Sequence, residues 1–372
     1  MRETSVPPTE IRHRDFADLY GWAEDDHAAA FRAFRRGAKS LSEASPKGRS
    51  LGVDPGALRD ILSRAGTRPE NLGEDEARRF FETEFTPFEI LPPDSRGFFT
   101  GYYEPIVAGS RSRTAEFIVP LYRRPPDLVE FDPEDPPAGI DPSWRFARRT
   151  ATGYTAYADR GEIEAGFLKG RGLELVFLAD PVDAFFIHIQ GAARIALPDG
   201  GSMRVTYAAK TGHPYTPIGR VLIEMGALEK GKADMKAIRA WLAAHPEAAP
   251  QVMAKNRSFI FFREASVEDP KLGPVAAAKT PLTPGRSLAV DRLLHSFHSP
   301  VWIETELADR TAFRRLMIAH DTGSAIIGPA RGDIFFGSGD EAGALAGGMA
   351  AAGRFVLFVP RSTADRFLRG DP

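Results

Sequence analysis

The chain has 372 residues, 43% hydrophobic and 26% charged, with a net charge of −2 and no cysteine. That length suggests two domains with ample cores, and the near-neutral charge excludes a nucleic-acid binder working by bulk charge. Without cysteine there are no disulfides, no thiolate nucleophile, no cysteine metal site and no thiol for lipid attachment.

No apolar run approaches the roughly 18 residues that span a bilayer. The start, MRETSVPPTEIRHRD, is polar and lacks the apolar core of a secretory signal, so residues 1–15 read as a flexible lead. Phe16–Lys39 sets Trp22, Phe31 and Phe34 among charges and alanines, as an amphipathic helix would. Glu74–Phe85 predicts a second helix. From Gly97 onward apolar residues come in short runs broken by Pro and Gly, the texture of strands in a barrel or sandwich. Pro120–Pro142 is dense in proline and acid and reads as a long, stiff surface loop, because Pro lacks the backbone donor. Residues 174–195 read as strand-rich with a break at Asp180-Pro181. Ile218–Met225 and Ala233–His245 have helical patterns, and Phe259–Phe262 predicts a short buried strand. The last third, 273–360, returns to strands and turns. The basic runs Arg32–Arg36 and Arg145–Arg149 read as solvated faces.

The densest chemistry lies in Asp321–Gly343, DTGSAIIGPARGDIFFGSGDEAG, which sets Asp321, Asp333 and Asp340 among glycines and apolar runs. The runs LMIA before Asp321, AIIG after it and IFFG after Asp333 each have the length of a buried strand. Carboxylates are expensive to pack, and glycines let a backbone or ligand approach closely. Asp340 precedes the helix-like EAGALAGGMAAAG and reads as an N-cap. Asp321 and Asp333, on strands that emerge into glycine turns, are the candidates for chemistry. For Asp321 alone, a turn carboxylate capping backbone N–H groups is an open alternative.

DTGS also resembles an aspartic-protease loop. Such proteases pair two equivalent loops, and the chain has no second DTG or DSG. The eight histidines show no metal spacing; His188 and His213 read as satisfied structural side chains, and no metal or cofactor is expected. Ser-His-Asp catalysis is not expected either, for want of a nucleophile elbow.

Five further blocks accompany the three-aspartate segment: GFFTGYYEP (Gly97–Pro105), FFIHIQG (Phe185–Gly191), YAAKTGHPYTPIGRVLI (Tyr207–Ile223), NRSFIFF (Asn256–Phe262) and GPVAAAKTPLTPGRSLAVD (Gly273–Asp291). In this order they resemble the lytic murein transglycosylase A family, from about Asp15 to Pro360. The resemblance implies a mainly β fold with flanking helices: a double-psi β-barrel domain interrupted by a second β domain. Residues 1–104 plus 264–372 would form the barrel and 105–263 the insertion. A groove between them would hold an extended glycan.

The implied reaction cuts the β-1,4 bond between N-acetylmuramic acid and N-acetylglucosamine without water, leaving 1,6-anhydro ends. One residue gives a proton to the leaving oxygen and takes one from the C6 hydroxyl, so it must be protonated at working pH. By resemblance Asp333 is that acid, with Asp321 in or beside the site. Thr100, Tyr102, Tyr103, Glu104, Gln190 and Lys210 are the implied glycan contacts; since adjacent strand residues face opposite ways, only one of Tyr102 and Tyr103 should reach ligand. Where the family has small polar residues after Gln190-Gly191, this chain has Ala192-Ala193. The implied partners are peptidoglycan strands, acted on by a monomer in the periplasm or cell envelope, with cell-wall synthesis or division proteins beyond them. The alternative is a catalytically silent peptidoglycan-binding scaffold.

Overall fold

The computed structural model describes residues 9–43, 45–93, 96–132, 135–141 and 144–369, and it divides into two compact units. One runs from Glu104 to Glu268; the other takes the chain up to Tyr103 and again from Asp269. The protein is mainly β, with helices.

In the second unit three helices lie between the first and second strands of the main sheet. Asp26 accepts from the Ala29 N–H at 2.7 Å and so caps α1 (His27–Arg36). Asp54 caps α2 (Pro55–Thr67) in the same way, with Pro55 in the first turn where its missing donor costs nothing. The sequence reading did not anticipate α2. Three acids, Glu74, Asp75 and Glu76, open α3 (Glu74–Glu84), where they complement the helix dipole. Phe31 and Phe80 meet edge to face at 5.0 Å, and Phe34 meets Phe81 and Phe85 likewise. Such pairs add roughly 0.5–1.5 kcal/mol each to the apolar burial that holds the helices.

The sheet has eight strands: β1 (Glu10–His13), β2 (Phe85–Leu91), β3 (Gly97–Glu104), β4 (Ser287–Val290), β5 (Pro300–Glu306), β6 (Ala312–Asp321), β7 (Arg331–Ser338) and β8 (Ala350–Pro360). Their order is β1-β2-β8-β5-β6-β4-β7-β3, and β8 also pairs with β3, so six strands run round in a ring. Glu10–His13 is thus paired with β2, not part of a flexible lead. Trp302 on β5 and the run Phe355–Val359 on β8 are wholly buried, so these strands are covered on both faces.

The other unit has a six-stranded sheet, in the order Ile260–Ala265, Ser202–Lys210, Ala192–Ala196, Ile106–Ser110, Glu174–Leu178 and Val119–Tyr122. A three-stranded sheet of Leu128–Glu130, Phe146–Thr150 and Gly153–Thr155 joins it. Val119–Tyr122 and Leu128–Glu130 fall inside the stretch expected to be loop; proline there occupies strand entries and turns rather than preventing pairing. Residues 133, 134 and 142 of that stretch lie outside the described residues.

Three local readings need correction. Pro181–Gln190 is a helix, not strand. A short, mostly apolar run has no clear period to distinguish the two, and the ends decide: Asp180 accepts from the Val182 N–H at 2.7 Å, and Gly191 closes the helix at φ +81°. AIIG after Asp321 is turn, leaving Ile327 73% exposed. Asp340 is the first residue of the helix α4 (Asp340–Gly348), and Gly339 holds the cap position.

Candidate active site

Alternation along β3 and β7 creates the site. On β3, Phe99 turns into the core, while Thr100 and Tyr102 share the opposite face. On β7, Gly332 and Ile334 face inward, and a Cβ on Gly332 would strike Phe99 and Leu288 at 2.9 and 3.0 Å. Arg331, Asp333 and Phe335 therefore share the other face. Asp333 pairs across β4 with Ala289 on one side, and Asp321 at the end of β6 pairs with Ala289 on the other. Two strand spacings thus separate the aspartate backbones, about 10 Å.

Both aspartates are partly buried, with different partners. Asp333 accepts from the Thr100 hydroxyl on Oδ1, and Thr100 in turn accepts from Arg331 Nη2 at 2.7 Å. Burial raises the Asp333 carboxyl above the usual range; the Arg331 charge and the Thr100 bond oppose that rise. Asp321 accepts from the Tyr102 hydroxyl at 3.0 Å on Oδ2 and from the Ala277 N–H at 3.3 Å on Oδ1. Burial lifts Asp321 to about 6, opposed by bonds from Thr322, Tyr102 and Ala277, with repulsion from Asp333 a smaller contribution. The Tyr102 phenol is pushed well above its usual value, chiefly by burial and then by the two carboxylates. Its ring packs on Phe335 with centroids 5.3 Å apart. Of the apolar residues after Asp333, Phe335 is thus the one that shares its face.

Thr100, Tyr102, Asp321 and Asp333 come together as expected from the motifs. Tyr103 is buried with its ring against Gly343, where any Cβ would meet it at 2.8 Å. Glu104 belongs to the other unit, wholly buried between Arg194 (2.9 Å) and Arg204 (3.1 Å to the same oxygen), so its carboxylate is committed to structure. Gln190 ends the Pro181–Gln190 helix, and Lys210 ends the Ser202–Lys210 strand; both are half-buried in that unit. Ala192 and Ala193 are buried in a strand. His188 packs edge-on against Phe259 and Phe262, while His213 lies against Trp144 and bonds the Tyr157 carbonyl at 2.7 Å.

Arg331 is the member that the sequence reading missed. Its signal was its place two residues before Asp333, which on a strand means the same face. The expectation that no nucleophile-elbow pattern occurs also needs correcting, since Gly48-Arg49-Ser50-Leu51-Gly52 has that spacing. It lies in coil and turn ahead of α2, without the strand-to-helix geometry of an elbow, and the Ser50 hydroxyl bonds no histidine. A cavity of about 1190 Å³ in the same unit is lined by residues such as Tyr20, Asp26, Arg32 and Arg78 and includes neither aspartate of the pair.

A model of the MltA specific insert domain matches residues 98–263, and one of the 3D domain matches residues 286–359. A solved membrane-bound lytic murein transglycosylase from Agrobacterium tumefaciens is 44% identical, with a TM-score of 0.89 over 96% of this chain and 99% of that one. The chain belongs to the membrane-bound lytic murein transglycosylase A family. Membrane-bound lytic murein transglycosylase A of Escherichia coli K12 is 34% identical over 257 residues, covering 67% of this chain and 62% of the relative. E. coli MltA solved with bound chitohexaose is 26% identical, with a TM-score of 0.64 over 96% of this chain and 93% of that one. The chain matches about 62% of the length of its curated E. coli relative.

Proposed function

We propose that the protein is a metal-independent lytic transglycosylase of peptidoglycan, with Asp333 as its acid and base. The observation that carries this reading is a partly buried carboxyl, raised in pKa, whose only charged neighbour on its own strand face is Arg331. Asp333 gives its proton to the oxygen between N-acetylmuramic acid and N-acetylglucosamine as the C1–O bond breaks. The C6 hydroxyl of the same muramic residue bonds to C1 and returns its proton to Asp333. Atoms balance without water. Family membership and the chitohexaose bound by the E. coli relative support a glycan substrate.

An inverting hydrolase would need a second carboxylate free to activate water. Asp321 already takes the Tyr102 hydroxyl on one oxygen and the Ala277 N–H on the other, so it suits orientation of Tyr102 better than water activation. The silent-scaffold alternative finds no support in a site whose acid and its partners are all present. In this reading Thr100 and Tyr102 line the reacting sugar, the ring of strands is a double-psi barrel of residues 1–104 and 264–372, and residues 105–263 are a glycan-gripping insertion. The setting is the cell envelope, in keeping with the membrane-bound names of the relatives; no described helix is long and apolar enough to cross a membrane.

Mass spectrometry of products from purified sacculi tests the reaction. Muropeptides lighter by one water than hydrolysis products are expected. Reducing muramic ends as the main product would overturn the mechanism. Activity should be greatest on the acidic side of neutrality, where Asp333 keeps its proton.

A further inference from the structure

Three groups form a directional chain on one strand face. Arg331 Nη2 lies 2.7 Å from the Thr100 hydroxyl oxygen, and that hydroxyl bonds Asp333 Oδ1. A guanidinium only donates, so Thr100 accepts from Arg331 and its single proton points to Oδ1. A proton on Oδ1 would meet that donated hydrogen head on. Arg331 is itself held on the strand: it donates to the carbonyls of Phe98 (3.4 Å) and Gly332, and its guanidinium lies 5.2 Å over the Phe98 ring. Thr100 is therefore not free to rotate while Arg331 keeps its place.

We propose that Arg331, acting through the Thr100 hydroxyl, is a positioning residue that confines the transferable proton of Asp333 to Oδ2. The inference rests on Asp333 being the acid. The same device favours a single face of the carboxyl for both halves of the reaction, since Oδ2 releases the proton and later recovers one. The charged and titratable groups around Asp333 are Arg331 from its own strand, Tyr102 from β3 and Asp321 from β6; β4 presents only Ala289. Among these Arg331 is the only cation, and its charge favours the ionised carboxylate.

The test compares Arg331→Gln, Arg331→Lys, Thr100→Val and Thr100→Ser with the parent chain, using kcat and KM on sacculi across pH, with Asp333→Asn as control. Arg331→Gln should lower kcat by about 10- to 100-fold through a misdirected proton, with KM little changed, and Thr100→Val should lower kcat over the same range. In both, the basic limb of the pH profile should move upward, because each change removes a group that favours the ionised acid. The double variant should cost little more than either single one, since both break the same chain. Thr100→Ser should recover most of kcat. A folded Arg331→Gln variant with parental kcat and an unmoved basic limb would overturn the inference. If Arg331→Gln does not fold, Arg331→Lys decides: it keeps the charge but loses the planar fork, so kcat should fall while the basic limb stays near its parental position. Parental kcat in Arg331→Lys together with additive losses in Thr100 variants would equally overturn it. Turnover surviving in Asp333→Asn would instead defeat the underlying assignment of the acid.

Discussion

At the scale of residues, the site separates two aspartates by their partners. Asp333 keeps Oδ2 clear, whereas Asp321 has both oxygens engaged. Asp333→Asn keeps the volume and removes the titrating proton. It should cut release of anhydro-muropeptides by about 10²–10⁴-fold in a protein that still unfolds cooperatively. Parental release would send the acid role to another residue. Asp321 carries a stability cost. Its folded value of about 6 lies above the 3.8 of the exposed group, so the folded state binds the extra proton between those pH values. Stability contributed by the neutral form is therefore present below about pH 4 and is lost as pH rises to about 6. Asp321→Asn should be no more stable than the parent at pH 4 and more stable at pH 7, by up to about 3 kcal/mol at 1.36 kcal/mol per unit. Urea unfolding at the two pH values measures it, and a gain that shrinks with pH would contradict the burial of this carboxyl.

At the scale of elements, β7 works because Gly332 lets it lie flat on Phe99 and Leu288. Gly332→Ala puts a methyl where both side chains already pack and should cost roughly 1–3 kcal/mol by overpacking. Activity should fall with it, since Asp333 is the next residue; denaturant unfolding alongside turnover checks both. The end of β3 is held differently. Glu104→Ala leaves Arg194 and Arg204 buried without their shared counter-ion, and breaking such a cluster costs about 3–5 kcal/mol. An unfolding midpoint close to the parental one would mean that the arginines find water instead.

At the scale of the molecule, each unit has its own apolar core. Leu121, Val176, Ile195, Val205 and Phe262 pack in one cluster of the Glu104–Glu268 unit, with Phe259, Phe261 and Tyr157 in another. Expressed alone, that segment should fold and unfold cooperatively, because its size and core are those of an independent domain. A fragment lacking a near-ultraviolet circular dichroism signal would show that it depends on the rest of the chain.

The sequence by itself carried the mainly β texture, the helices α1 and α3, the family blocks and the candidacy of Asp333, because those signals are local: period, caps and short motifs. The helix at Pro181–Gln190 was legible only in its ends, since an apolar run without alternation fits helix and strand alike. Tertiary structure decided what no local signal encodes. It set Asp321 and Asp333 on either side of Ala289, joined Tyr102 to one and Thr100 to the other, and committed Glu104 to two arginines far along the chain. Those partners lie 90 to 233 residues apart in sequence and are neighbours only because strand register aligns them. Arg331 marks the boundary between the two: its position beside Asp333 was written in the sequence, but its grip on Thr100 exists only once β3 and β7 are adjacent.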